Sequence, residues 1–122
     1  MSATVETVLL VATVVCVVAN TFEVAAKVCG ARFVVQNSAE VGVDRTWIPY
    51  LAVIEGSGVA GLLLGLFHRP ALGLAAAVGL LAFFVLAVLA HVRSRVLHNI
   101  AFPATFLVLA AAAVGYFAGA PG

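Results

Sequence analysis

Apolar residues run along this chain in four long, unbroken stretches, separated by short clusters of polar and turn-forming residues. A membrane-spanning helix needs about 20 predominantly apolar residues. The stretches at about 4–28, 48–67, 71–92 and 100–117 meet that length. The runs are continuous, not alternating, which selects helices over barrel strands as the way to satisfy the backbone in lipid. Gly30, Asn37-Ser38 and Gly42 are expected to break the chain between the first two spans. His68-Arg69-Pro70 is expected to turn it between the second and third, and Ser94 to Asn99 between the third and fourth. Short connections force neighbouring helices to be antiparallel. The pattern therefore predicts an all-α integral membrane protein, an up-down-up-down four-helix bundle, with residues 1–122 as a single transmembrane domain. Leu9 to Ala19 resembles the apolar core of a signal peptide. No Lys or Arg precedes it, so the segment is expected to stay as the first span.

Composition excludes several classes of function. The chain is 65% hydrophobic and 9% charged, against about 45–50% and about 25% in soluble domains. Six basic and five acidic residues leave a net charge of +1. A soluble enzyme, a disordered region and a nucleic-acid-binding module are all incompatible with those figures. The lipid bilayer is the expected environment, and no nucleic acid is an expected partner. Cys16 and Cys29 stand thirteen positions apart. On one helix that is a rise of about 20 Å, too far for a disulfide.

The few polar residues gather at one end of the expected bundle. Asn20, Glu23 and Lys27 close the first span, Trp47, Tyr50 and Glu55 open the second, His91 and Arg93 end the third, and Asn99 begins the fourth. Charges at helix ends ordinarily snorkel to the headgroups. Glu55 is different. It lies eight residues beyond Trp47, an interface-type anchor, and so about 12 Å further into the membrane. A carboxylate at that depth must face the bundle interior, a partner or water. Helix phase agrees: Thr13, Cys16, Asn20, Glu23 and Lys27 fall on one face of the first helix, with Glu23 and Lys27 an i, i+4 pair. Ala77, Phe84, Ala87, His91 and His98 share a face in the third, and Asn99, Phe102, Phe106, Ala110 and Phe117 in the fourth. These faces are expected to line one pocket. Ser57, Gly61 and Gly65 form a small-residue stripe on the second helix, a pattern that lets membrane helices approach closely and suggests a homo-oligomer or a membrane-complex partner. The connection 29–47 carries Phe33-Val34-Val35 and Val41-Gly42-Val43 among polar residues, and is expected to cap the polar mouth.

Lys27 after the first helix, Glu55-Gly-Ser-Gly in the second, His91-Val-Arg93 closing an Ala-rich third and a Pro-containing fourth together resemble the DoxX-like family of small four-helix bacterial membrane proteins. The resemblance spans nearly the whole chain. It implies a four-helix bundle, a polar site at Lys27, Glu55, His91 and Arg93, and a multi-pass place in the cell membrane, the bacterial inner membrane. Members of that family are linked to quinone-coupled oxidoreductase complexes, so a quinone is the cofactor the resemblance implies. The chain lacks the paired-cysteine motif of the redox-associated members, which argues against direct thiol chemistry.

A carboxyl and an imidazole flanking a lipid-accessible pocket can move protons to and from a hydrophobic small molecule. Glu55 and His91 are the candidate catalytic pair, with Asn20, Glu23, Lys27, Tyr50, Arg93 and Asn99 as candidate ligand-binding residues. No residue spacing requires a metal. Quinone-linked redox chemistry, isomerisation and epoxide opening all need such proton donors. The alternative is a structural or assembly subunit whose buried charges only fix helix register.

Overall fold

A computed structural model describes residues 2–120 of the chain. Its helices are α1 (Ala3–Val28), α2 (Arg32–Glu40), α3 (Ile48–Phe67), α4 (Pro70–Arg93) and α5 (Ala101–Ala118), with one turn of 3₁₀ helix at Arg45–Trp47. The four expected spans are α1, α3, α4 and α5, each long and apolar enough to cross a membrane. The helix α2 is the departure. Asn37 and Ser38 do not break the chain; they lie within this helix.

The boundaries follow from local chemistry. The Ser2 hydroxyl accepts the Val5 N–H at 3.2 Å and caps α1, while Glu6 in the first turn and Lys27 in the last suit the helix dipole. Three helices end in the same way, with a left-handed residue closed by two backbone bonds. After α1, Gly30 has φ 65° and Ala31 N–H reaches Ala26 O at 3.0 Å. After α2, Gly42 has φ 80° and Val43 N–H reaches Ser38 O at 2.8 Å. After α4 the left-handed residue is Arg95, at φ 56°, with Val96 N–H on His91 O at 2.9 Å. Pro70 starts α4, and Arg69 before it is extended, as a residue preceding proline must be.

The spanning helices form a four-cornered bundle, α1 packing on α3 and α5, and α4 packing on α3 and α5. The centre holds Cys16, Leu62, Ala77, Leu80, Phe84, Ala110, Ala113 and Phe117. Two buried polar side chains on α1 find partners on their own helix, as a helix in lipid requires. Thr13 donates to Leu9 O at 2.7 Å, and Asn20 Nδ2 donates to Cys16 O at 2.8 Å.

The small residues of α3 are used inside the bundle, against α4. A Cβ on Gly61 would lie 2.5 Å from the Ala76 Cβ, and one on Gly65 would collide with the backbone of Gly73. The Phe117 ring of α5 fills the notch that Gly65 and Gly73 leave. Ser57 faces outward and bonds Val53 O at 2.8 Å. The stripe is thus a helix–helix contact within one chain, and the expectation of a homo-oligomer loses the feature that motivated it. The outer surface is apolar instead: Val8, Val18, Val53, Phe67, Leu86 and Val108 are all exposed. Large apolar side chains facing outward on every spanning helix are what lipid, not water, solvates. The chain is a small integral membrane protein.

Candidate functional site

A cavity of about 410 Å³ opens at the end of the bundle where α1 and α4 finish and α3 and α5 begin. That volume falls in the range of small-molecule sites. Its walls come from every helix: Phe22, Glu23 and Lys27 of α1, Leu51 and Glu55 of α3, Phe83, Phe84, Ala87 and His91 of α4, and Phe102 and Phe106 of α5, with Asn99 just before α5. The cover is α2 and the turn after it, which contribute Phe33, Val34, Asn37, Ser38, Val41 and Val43. The connection 29–47 therefore does lie over the mouth, as a helix. Three contacts hold it there. Phe33 stacks on Phe22 with ring centroids 6.3 Å apart. Val34 packs with Ala26 and Ile48. Glu40 reaches His98 at 3.2 Å, an exposed pair that adds little.

The polar corner centres on Lys27. Its Nζ donates to Glu55 Oε1 at 2.7 Å and to Glu23 Oε2 at 3.4 Å. Glu55 is fully buried, whereas the Lys27 and Glu23 side chains are 13% and 24% exposed. The second Glu55 oxygen, Oε2, is buried without a hydrogen-bond partner among the described residues, as is Asn99 Oδ1. On α4, His91 lines the same cavity, with Nδ1 2.8 Å from Ala87 O. A carbonyl only accepts, so Nδ1 carries a proton, and in the uncharged tautomer that this contact selects Nε2 is an acceptor.

Of the residues singled out in the sequence, Glu23, Lys27, Glu55, His91 and Asn99 meet at this cavity. Asn20 does not. It is buried one turn below, in the packed interior, bonded to its own helix. Tyr50 is 64% exposed, on the outer side of α3 against Trp47. Arg93 is exposed at the end of α4 and lies outside the lining. His98 lies beyond α4 and pairs with Glu40, so it does not continue the His91 face. Ala110 and Phe117 belong to the packed core, and only Asn99, Phe102 and Phe106 of the α5 face line the cavity. Phe22, Asn37, Ser38 and Phe83 are lining residues that the sequence pattern did not single out as such, whereas Phe33 belongs to the connection expected to cap the mouth. A signal for the cover was present in the two glycines, Gly30 and Gly42, that bracket it.

No curated protein and no solved structure shows significant similarity to the chain. The sequence profile of the DoxX-like family matches residues 11–113, from the first turns of α1 almost to the end of α5. With that match reaching into all four spans and taking in every cavity-lining residue, the chain belongs to the DoxX-like family.

Proposed function

We propose that this protein binds a hydrophobic small molecule in the cavity between α2 and the bundle, with Glu55 and His91 as the groups that act on its polar end. The observation that carries this reading is the cavity itself: apolar walls around a few convergent polar groups, one of them a fully buried carboxyl. Such a combination is the usual form of a binding site. Phe22, Leu86 and Phe102 line the cavity and are also exposed on the apolar outer surface. Entry from the bilayer suits that rim, and a lipid-soluble molecule such as a quinone would follow it. Acid–base chemistry on such a substrate would use Glu55 and His91, with Lys27 holding Glu55 in place. Family membership supports a place in a cell membrane, the bacterial inner membrane.

A second reading has its own observation. The contact of Lys27 with Glu55 at 2.7 Å joins α1 to α3, as a register-fixing pair in a structural or assembly subunit would. The two readings part on ligand occupancy. Protein purified into lipid nanodiscs would be extracted with solvent and the extract compared with that of empty nanodiscs by mass spectrometry. The binding reading expects an enriched hydrophobic molecule near one per chain. It expects that molecule to be lost in Ala87→Phe, which fills the cavity. It also expects Glu55→Gln and His91→Asn to stay folded and lose function. Extracts identical to empty nanodiscs, together with an unfolded Glu55→Gln, leave only the structural subunit.

A further inference from the structure

The hydrogen-bonding capacity left open in the cavity is mostly of one kind. Glu55 Oε2 is buried and unpartnered among the described residues, and in the carboxylate form that pairs with Lys27 it can only accept. His91 Nδ1 donates to Ala87 O, which leaves Nε2 as an acceptor in the uncharged tautomer. Asn99 Oδ1 is a third buried acceptor without a partner. An amide can also turn its NH₂ inward, so Glu55 and His91 set the preference and Asn99 adds to it. Lys27 spends two of its three donors on carboxylates, leaving one donor against these three acceptors. Asn37 and Ser38 on the cover can donate or accept and favour neither kind of ligand.

We infer that the ligand is a lipophilic alcohol or phenol, a molecule whose polar end donates hydrogen bonds to Glu55 and His91, in preference to a ketone or an ether of the same shape. The inference rests on the binding reading above and narrows its substrate class, away from the quinone named there, whose carbonyl oxygens only accept, and towards molecules that donate. A carbonyl or ether oxygen brought to Glu55 would meet an acceptor and leave Oε2 buried and unsatisfied, which is costly in a low-dielectric site, and one brought to His91 would meet an acceptor there. A hydroxyl satisfies one acceptor directly. A second hydroxyl on the same molecule could satisfy the other. The phenylalanines at positions 22, 33, 83, 84, 102 and 106 offer the body of such a molecule an aromatic enclosure.

The test uses three probes of nearly equal size: 1-naphthol, 1-methoxynaphthalene and 1-acetylnaphthalene. Each would be titrated into the full chain in nanodiscs at pH 7.5 or so, with partitioning into empty nanodiscs subtracted. The expected result is naphthol binding about tenfold or more tightly than either of the others, the discrimination expected for a hydrogen bond to a charged acceptor. In Glu55→Gln, whose carboxamide donates as well as accepts, the preference should fall to within about threefold. Should that variant not fold, the comparison on the unaltered chain decides alone. Equal binding of all three probes overturns the donor inference and leaves the cavity as a binding site. Tighter binding of the acetyl probe overturns it and points to a carbonyl ligand. If no probe binds above the empty nanodisc, the binding reading fails and the inference with it.

Discussion

Lys27 holds two carboxylates at once, and the energetics of the site turn on that imbalance. Removing the ammonium leaves Glu55 fully buried beside Glu23 with no counter-charge, whereas removing the Glu55 charge leaves Lys27 its contact with Glu23. Breaking a buried pair so that a charge is stranded costs about 3–5 kcal/mol. Losing one charged hydrogen bond without stranding a charge costs about 1–3 kcal/mol. Lys27→Met should therefore destabilise the bundle more than Glu55→Gln, and adding Glu55→Gln to Lys27→Met should recover part of the loss. Thermal unfolding of the three variants in one lipid composition would check this ordering. Equal losses in the two single variants would show that Glu23 does not share the ammonium. Helix phase made part of this corner legible in the sequence and would have corrected more of it. At 100° per residue, Tyr50 stands about 140° around its helix from Glu55, and Arg93 about 200° from His91. Proximity along the chain grouped these residues with the site, but their directions put them outside. Asn20 has the right direction and the wrong depth, since seven residues separate it from Lys27, about 10 Å along the axis.

At the scale of elements, the spans were readable because lipid demands long apolar runs and nothing else in the chain resembles one. Expected bounds of 48–67 for the second span coincide with Ile48–Phe67 of α3. The cover α2 was not readable from apolar periodicity because its inward face is half polar, Val34 and Val41 alternating with Asn37 and Ser38. Its true signal was the pair of left-handed glycines, Gly30 and Gly42, that bracket it. The small-residue stripe was visible but its partner was not, because a stripe of glycines shows that a helix approaches closely and not which helix. The assignment of that partner to α4 has a direct consequence. Gly65→Ala puts a methyl group into the Gly73 backbone, which has no side chain to swing away, and should cost about 1–3 kcal/mol or more. Gly79 sits on the same helix as Gly73 with nothing within 4 Å of an added Cβ. Gly79→Ala should instead stabilise by up to about 1 kcal/mol through helix propensity. Unfolding midpoints that moved the same way for both variants would refute the packing of α3 on α4.

At the scale of the whole molecule, four crossings put the ends of the chain on the face opposite the cavity. The distribution of cations then orients the bundle. Arg32, Arg45, Arg93 and Arg95 are exposed at the cavity end, and Arg69 is exposed at the other. Lys27 is left out of this comparison, since it is paired inside the site. Four exposed arginines against one predict that the cavity end faces the cytoplasm under the positive-inside bias, which counts basic residues in short connections and not net charge. The acidic Glu40 and Asp44 at the same end therefore do not weaken the assignment. The chain carries a reporter for it. Cys29 is exposed at the cavity end, while Cys16 is fully buried and silent to a bulky reagent. A membrane-impermeant maleimide should label Cys29 in inverted vesicles and not in intact spheroplasts. Ser2→Cys, placed on a Cys29→Ser background, should label from the spheroplast side alone. The reverse polarity at both positions would keep the bundle and turn it over. Labelling of both positions from one side would break the four-span topology. That outcome would also separate the α1 residues Glu23 and Lys27 from Glu55 and dissolve the site they form together.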